Sequence, residues 1–234
     1  MSIESNYSLE HKVVPCTSAA IPGMCTSKDN DLIDEEFRIR TVGKYSIIPS
    51  LPHIKGVKYL NRLGKEPLNV DEILRARLEQ AELYDYCFWS GTGIAYKAKT
   101  SSIKILQRNI FLRQIPSGFR GDCITCFDFD YLEAEVLDLK QFNSNSQTKK
   151  EISSSPIWLA LAGGDKKLLK KYVNSTFAGY EKKYNKKDKL MSFCKIDKTM
   201  DYQLRAIFIG SLFSTSYVSG DYSLNAHASF LFLK

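Results

Sequence analysis

The chain has 234 residues, of which 44% are hydrophobic and 12% aromatic, a composition able to bury a sizeable core. Its 33 Lys and Arg against 26 Asp and Glu give a net charge of +7, which favours polyanionic partners. The sequence shows no apolar run long enough to span a membrane and no secretory signal. We expect a soluble, intracellular protein, and its six scattered cysteines suit a reducing compartment. For the close pair Cys123 and Cys126 we expect small buried side chains rather than a zinc site.

The chain divides into an N-terminal arm and one domain. Residues 1–36 are rich in polar residues and are broken by Pro15, Pro22 and Gly23, so we predict a flexible arm there and a single domain over 37–234. Alternation from residue 37 predicts a strand or hairpin ended by Pro49 and Pro52. Residues 143–155 have loop composition and predict a mobile segment or a boundary within the domain.

Three helix starts stand out in the sequence. Asn69, with Glu72 three residues later, predicts a capped helix. Ser155 and Pro156 predict a short helix that ends at the Gly163-Gly164 pair, and a longer helix follows Asp165. Ser90–Gly93 predicts a turn, and the apolar segments near the C-terminus predict two or three strands. Together these features predict an α+β domain with a mostly antiparallel sheet and two or three helices.

The helix that follows Asp165 combines an apolar seam with many lysines. The seam consists of Leu168, Leu169, Tyr172, Val173, Phe177 and Tyr180, and the candidate binding residues are Lys166, Lys167, Lys170, Lys171, Lys182, Lys183, Lys186 and Lys187. Such a helix suits contacts to a phosphate backbone, because these contacts are electrostatic and indifferent to base sequence. The same pattern also fits a solvated face or a helix lying on an anionic membrane.

A second basic stretch follows the predicted turn. Residues 94–115 predict two or more strands with five cations and no acid, namely Lys97, Lys99, Lys104, Arg108 and Arg113. We expect either a second surface for nucleic acid or internal ion pairs with the acidic residues that come next.

An acidic stretch from Arg120 to Lys140 predicts a β-hairpin with strands over Asp122–Asp130 and Glu135–Lys140. One face would carry Asp128, Asp130, Asp138 and Lys140, and the other face would be apolar. Carboxylates on one face can bind Mg²⁺ or Mn²⁺, which activate water or stabilise phosphoryl oxygens. A solvated face of the hairpin explains the same residues without a metal.

Asp138 and Lys140, preceded by aspartates before a turn, resemble the PD-(D/E)xK nuclease pattern. That resemblance implies that the carboxylates ligate the metal and that Lys140 orients or activates the attacking water. The sequence departs from the pattern, since no proline precedes Asp122 and an aspartate replaces the usual glutamate.

Two functions follow from these observations. The first is a non-catalytic protein without a cofactor that binds nucleic acid or another polyanionic surface, such as an anionic membrane, and that self-associates within an assembly. The alternative is a Mg²⁺- or Mn²⁺-dependent phosphodiesterase that uses the acidic hairpin.

Overall fold

The described residues form one sheet with helices packed on both of its faces. The computed structural model describes residues 37–139, 147–184, 192–193, 200–211, 217–220 and 223–234, and the arm predicted over 1–36 lies outside them. The α-helices are α1 (His53–Arg62), α2 (Val70–Glu79), α3 (Arg108–Phe111), α4 (Lys149–Ser154), α5 (Pro156–Leu161) and α6 (Lys166–Tyr184). Short 3₁₀ turns lie at Ala81–Asp85, Ala98–Thr100 and Leu112–Gln114.

The strands of the described part are β1 (Arg40–Val42), β2 (Tyr45–Pro52), β3 (Phe88–Lys97), β4 (Ser102–Leu106), β5 (Leu137–Asp138), β6 (Ser192–Phe193), β7 (Tyr202–Ile209), β8 (Tyr217–Ser219) and β9 (His227–Leu233). The prediction of an α+β fold with a mostly antiparallel sheet is confirmed. The number of helices was underestimated, because the described residues contain six α-helices.

The last strand of the chain lies inside the sheet. The strand order is β1-β2-β9-β3-β7-β8-β6, and β4 pairs with both β3 and β5 outside this path. Among the described pairs, only β3 with β9 and β6 with β8 are parallel. Since β9 lies between β2 and β3, the apolar C-terminal strand is buried within its own domain.

Each face of the sheet has its own apolar core, because side chains alternate along the strands. In β3, Phe88 belongs to the core beneath α2, α4, α5 and α6, which we call the α6 core. The neighbouring Trp89 belongs to the core beneath α1 and α3, which we call the α1 core. α6 and α1 therefore lie on opposite faces of the sheet.

The predicted turn at Ser90–Gly93 is wrong, since these residues lie inside β3. The register between β3 and β7 shifts between Trp89 and Gly93, as in a β-bulge. A Cβ atom at Gly93 would lie 2.3 Å from Cδ2 of Phe111. The glycine thus allows α3 to pack closely against the strand.

Three other predicted boundaries differ from the structure. The hairpin predicted from residue 37 is formed by β1 and β2 and ends at Pro52, but β2 continues through Pro49. Its register with β9 shifts between Ile48 and Leu51, where proline is tolerated. The end of the 94–115 stretch, which was predicted to form strands, instead forms the helix α3 and the 3₁₀ turn that follows it. Within the predicted loop at 143–155, α4 forms a helix.

Contacts between residues group Glu36–Lys234 into one unit. Within the described part of the chain, no helix combines the length and the apolar character that crossing a membrane requires.

Candidate polyanion-binding surface

α6 has one apolar side and one basic side. Its start is capped by Asp165, whose Oδ1 accepts hydrogen bonds from the N–H groups of Lys167 and Leu168, each at 2.9 Å. The buried residues of the helix are Leu168, Leu169, Tyr172, Val173, Thr176, Phe177 and Tyr180. This spacing places one side of the helix on the α6 core and confirms the predicted apolar seam.

The opposite side of α6 carries exposed lysines, which we call the lysine face: Lys166, Lys167, Lys170, Lys171 and Lys182. None of the five forms an ion pair with a residue in the described ranges. The Lys183 side chain and all of Lys186 and Lys187 lie outside the description, so their binding role stays a prediction.

Positive charge is concentrated at the start of α6. Four members of the lysine face lie between residues 166 and 171, and the first turn holds no acidic residue. The unpaired N–H groups make this end of a helix positive, so that cations here oppose helix formation and attract anions. Hydrogen bonds from the Leu168 N–H and from Arg75 hold the pKa of the cap Asp165 below its usual value.

α4 extends the basic surface. Lys149 and Lys150 are exposed on this helix. The Lys149 Nζ lies 5.4 Å from the ring centroid of Phe177 in α6, so its charge is beside the lysine face. The sequence prediction missed these two lysines because it assigned the segment to a loop. A signal was present in the capping box of Thr148 and Glu151, where the Thr148 N–H donates to Glu151 Oε2 at 2.7 Å.

Most of the Lys and Arg side chains predicted on the strands form ion pairs or hydrogen bonds within the protein. Lys97 Nζ pairs with Asp130 Oδ2 at 3.0 Å and lies over the rings of Phe129 and Tyr202. The hydrogen bond to Asp130 raises the pKa of Lys97. Lys99 pairs in the same way with Asp201 at 2.9 Å.

Lys104 and Arg108 are also engaged. Lys104 is 5% exposed, and its Nζ donates to the carbonyl oxygens of Phe129 at 3.0 Å and Leu132 at 2.7 Å. Arg108 pairs with Glu66 at 2.8 Å and Glu72 at 3.2 Å. Arg113 is exposed but lies in a 3₁₀ turn, outside the sheet. The structure therefore favours the internal ion pairs over the second nucleic-acid surface.

The predicted acidic hairpin is wrong. Asp122–Asp130 contributes a single isolated bridge, between Ile124 and Leu204, and β5 pairs with β4 instead of with this segment. Phe129 packs in the α1 core whereas Leu137 packs in the α6 core. The apolar residues expected on one shared face thus lie on opposite sides of the sheet.

The three aspartates proposed as metal ligands are held in other ways. Asp130 pairs with Lys97, and Asp128 Oδ1 accepts the Asp130 N–H at 3.0 Å. Asp138 lies in β5 opposite Ser102. In the described ranges, no three His, Cys, Asp or Glu side chains are grouped to hold a metal, so these aspartates do not fit the predicted Mg²⁺ or Mn²⁺ site. Lys140 lies outside the described residues.

A cleft of about 420 Å³ opens between β5 and the α4–α5 junction. Its lining includes Glu135, Val136, Asp138, Glu151 and Ser154. Because three of these side chains are carboxylates, the cleft suits a cationic group and is unsuited to phosphate. It is therefore separate in its chemistry from the lysine face.

Cys123 and Cys126, which are three residues apart, differ in state. Cys126 is exposed and disulfide-bonded, whereas Cys123 and Cys87 are half-buried thiols. The expectation that Cys126 is a small buried side chain is therefore wrong.

Comparisons with known proteins give one informative likeness. No family model and no curated protein sequence matches the chain. A solved structure described as "Accommodation of massive sequence variation in Nanoarchaeota by the C-type lectin fold" is similar, with a TM-score of 0.57 at 11% identity. The alignment covers 85% of this chain and 99% of the other. The likeness at this identity concerns the fold alone, and the chain has a fold similar to the C-type lectin fold.

Proposed function

We propose that this chain is a non-catalytic protein that binds a nucleic acid or another polyanion through the lysine face of α6. The observation that carries the proposal is the set of five exposed lysines on one side of a single helix, none paired with a carboxylate of the described ranges. Lysine contacts to phosphate are electrostatic and carry no base specificity. We therefore expect binding that depends on backbone charge rather than on base sequence.

The dimensions of the surface are compatible with several phosphates. From Lys166 to Lys182 the helix rises by roughly 24 Å at about 1.5 Å per residue. Duplex DNA carries about one charge per 1.7 Å of its axis, so this length meets several phosphate groups. Lys149, beside Phe177, widens the surface on the α4 side.

An anionic membrane is the less favoured ligand. A helix that lies on a membrane inserts its apolar side into the boundary between headgroups and acyl chains. The apolar side of α6 is instead occupied, since Tyr172 and Phe177 are 1% and 4% exposed. No large apolar side chain in the described part of α6 is exposed. Binding to anionic vesicles at the expense of oligonucleotides would therefore contradict the proposal.

The fold itself does not indicate the ligand. The structural neighbour is described as a C-type lectin fold that accommodates massive sequence variation. A scaffold with that tolerance can present different surfaces, because function depends on the site and not on the fold. The proposal accordingly relies on the lysine face alone.

The test compares two double variants with equal charge change. Lys170→Gln/Lys171→Gln removes two members of the lysine face, and Lys55→Gln/Lys58→Gln removes two exposed lysines of α1, on the opposite face of the sheet. Binding of a labelled single-stranded oligonucleotide and of its duplex is measured by fluorescence anisotropy. At about 0.1 M salt, loss of two phosphate contacts should weaken duplex binding by about tenfold or more.

The α1 variant serves as the matched control and should bind nearly as well as the wild type. Equal weakening by both variants would show that binding follows net charge alone, and the proposal would then fail. Absence of binding by the wild type at low salt would reject it directly.

We also infer an intracellular, reducing compartment from the number and spacing of the cysteines. The observation against this inference is the disulfide of Cys126, because disulfides are rare in reducing compartments. Rapid alkylation of the protein in its native cells should find Cys126 reduced, and an oxidised Cys126 would contradict the inference.

A further inference from the structure

The segment Phe127–Val136, which we call the acidic loop, exposes both carboxylates and apolar groups. Glu133 and Glu135 are exposed, and neither forms an ion pair with a residue of the described ranges. Two large apolar side chains flank them in sequence and are also exposed, Tyr131 to 85% and Val136 to 56%. An exposed tyrosine beside unpaired carboxylates is a composition that suits a cationic protein surface.

The acidic loop is fixed to the sheet, although it has little regular secondary structure. Lys104 donates to the carbonyl oxygens of Phe129 and Leu132, and Lys97 pairs with Asp130. The Phe129 and Leu132 side chains are 3% and 6% exposed in the α1 core. Tyr131 is thus presented between two anchored residues, so that less conformational entropy is lost when it binds.

The acidic loop is anchored on the α1 side of the sheet, although Glu135 and Val136 at its end line the cleft beside α4 and α5. In the described ranges no ion pair joins the loop to the lysine face of the same copy. Phe129 and Leu132 pack in the α1 core, whereas Leu169 and Tyr172 of α6 pack in the α6 core. A contact between these two oppositely charged surfaces therefore joins two copies of the chain. Such a contact is heterologous, because different surfaces of the two copies meet.

We propose that the acidic loop of one copy binds the lysine face of α6 in a second copy. We choose a second copy as the partner because the two surfaces carry opposite charges. Both surfaces are exposed, and no ion pair in the described part of the chain neutralises Glu133, Glu135 or the lysines. Tyr131 packs against the methylene stems of the lysines, and its ring faces their ammonium groups. This inference goes beyond the proposed function, as it concerns a second, protein ligand of the same helix.

The proposal implies competition between self-association and polyanion binding. Both use Lys170 and Lys171, so that an oligonucleotide should displace the acidic loop. Head-to-tail contacts of this kind form a ring if the rotation closes and a filament if it does not. Because the contacts are between exposed charges, we expect the association to weaken strongly with salt.

The test is sedimentation velocity of the full chain and of charge-reversal variants. At about 50 mM salt the wild-type sedimentation coefficient should rise with protein concentration, and at about 0.5 M salt it should return to the monomer value. Glu133→Lys/Glu135→Lys and Lys170→Glu/Lys171→Glu should each remain monomeric. The chain that carries all four reversals should associate again, because the charges are exchanged between the same two surfaces.

Melting temperatures of all the variants establish that they remain folded. Tyr131→Ser provides a variant without charge change and should also reduce association. A monomeric wild type at low salt, or four reversals that fail to restore association, would overturn the proposal. Failure of this proposal is distinguishable from failure of the proposed function. Glu133→Lys/Glu135→Lys should still bind oligonucleotide, since the lysine face is intact. If the wild type does not bind oligonucleotide, the sedimentation test of the charge-reversal variants still applies.

Discussion

Arg77 Nη1 donates a hydrogen bond to the Tyr172 hydroxyl at 3.0 Å and joins α2 to the buried side of α6. Arg77 is 1% exposed, and its Nη2 donates to the carbonyl oxygens of Tyr86 and Gly210 at 2.7 and 2.9 Å. In the described ranges no carboxylate pairs with it. The buried guanidinium of Arg77, which is bound only by neutral oxygen atoms in the described ranges, therefore links α6 to the core.

The first prediction tests the hydrogen bond between Arg77 and Tyr172. Tyr172→Phe removes one acceptor of the buried Arg77 and keeps the aromatic ring, which stacks on Tyr84 with centroids 5.9 Å apart. We expect the free energy of unfolding to fall by about 1–3 kcal/mol, because a buried donor loses its partner. Urea denaturation measures this change. Tyr131→Phe is the control, since its hydroxyl is on an exposed side chain, and it should leave the urea midpoint unchanged.

A second prediction concerns the anchor of the acidic loop. Lys104→Met keeps much of the side-chain volume but removes the buried ammonium that donates to the carbonyl oxygens of Phe129 and Leu132, which then keep only their backbone donors. We expect a loss of about 1–3 kcal/mol in unfolding free energy. Amide hydrogen exchange should also become faster across residues 129–134.

Lys99→Met is the matched control for Lys104→Met, because the Lys99 ion pair with Asp201 is exposed. Exposed ion pairs contribute little to stability, so the Lys99 variant should unfold like the wild type. Equal effects of the two substitutions would mean that Lys104 does not anchor the loop.

The third prediction concerns Gly56 in α1. A Cβ atom at this position would lie 1.9 Å from Cε2 of Phe230 in β9. Helix propensity alone favours Gly→Ala by about 1 kcal/mol, but the overlap forces α1 away from the sheet. We expect Gly56→Ala to lower the melting temperature, whereas Asn61→Ala on the exposed side of α1 should leave it unchanged or raise it. A stabilised Gly56→Ala would contradict this packing.

The fourth prediction is a loss of stability in acid caused by His53. Its ring is fully buried among Trp89, Phe111 and Phe230, with ring centroids 5.3, 5.6 and 5.7 Å away. Its Nε2 lies 3.3 Å from the Ser90 carbonyl oxygen, and burial lowers the pKa of His53 from 6.5 to about 4.

Above pH 6.5 the imidazole is neutral in both folded and unfolded chains, so His53 then has no pH-dependent effect. As the pH falls from 6.5 to about 4, the unfolded chain binds a proton that the folded chain excludes, and stability declines by roughly 3 kcal/mol. Urea midpoints at several pH values should therefore fall less steeply for His53→Gln than for the wild type. The exposed His227→Gln is the control and should follow the wild type; parallel curves for all three proteins would contradict the assignment.

Local signals predicted the helices better than the sheet contacts. The start of α2 followed from Asn69 and Glu72, and that of α6 from Asp165 and its apolar spacing, because caps and helical periodicity act within a few residues. Ser90–Gly93 was misassigned because the need for a small residue comes from Phe111, which is distant in the chain.

The prediction of an acidic hairpin was wrong for a related reason. Alternation in 122–130 suggested a strand, but Lys97 and Lys104 hold this segment as a loop on β3 and β4. Strand pairing depends on tertiary neighbours that a local pattern does not contain. The same limit explains why the lysines of α4 were not assigned to the surface around α6, although the lysines of α6 itself were predicted.

The measurement that tests the central claim most directly is the salt dependence of duplex DNA binding by wild type and by Lys166→Gln/Lys167→Gln/Lys170→Gln/Lys171→Gln. Each phosphate contact contributes about 0.9 to the slope of the logarithm of the binding constant against the logarithm of salt concentration. If the lysine face holds the phosphates, the slope for the variant should be shallower by about one unit for every lost contact. An unchanged slope would show that the polyanion is bound elsewhere and would contradict the account.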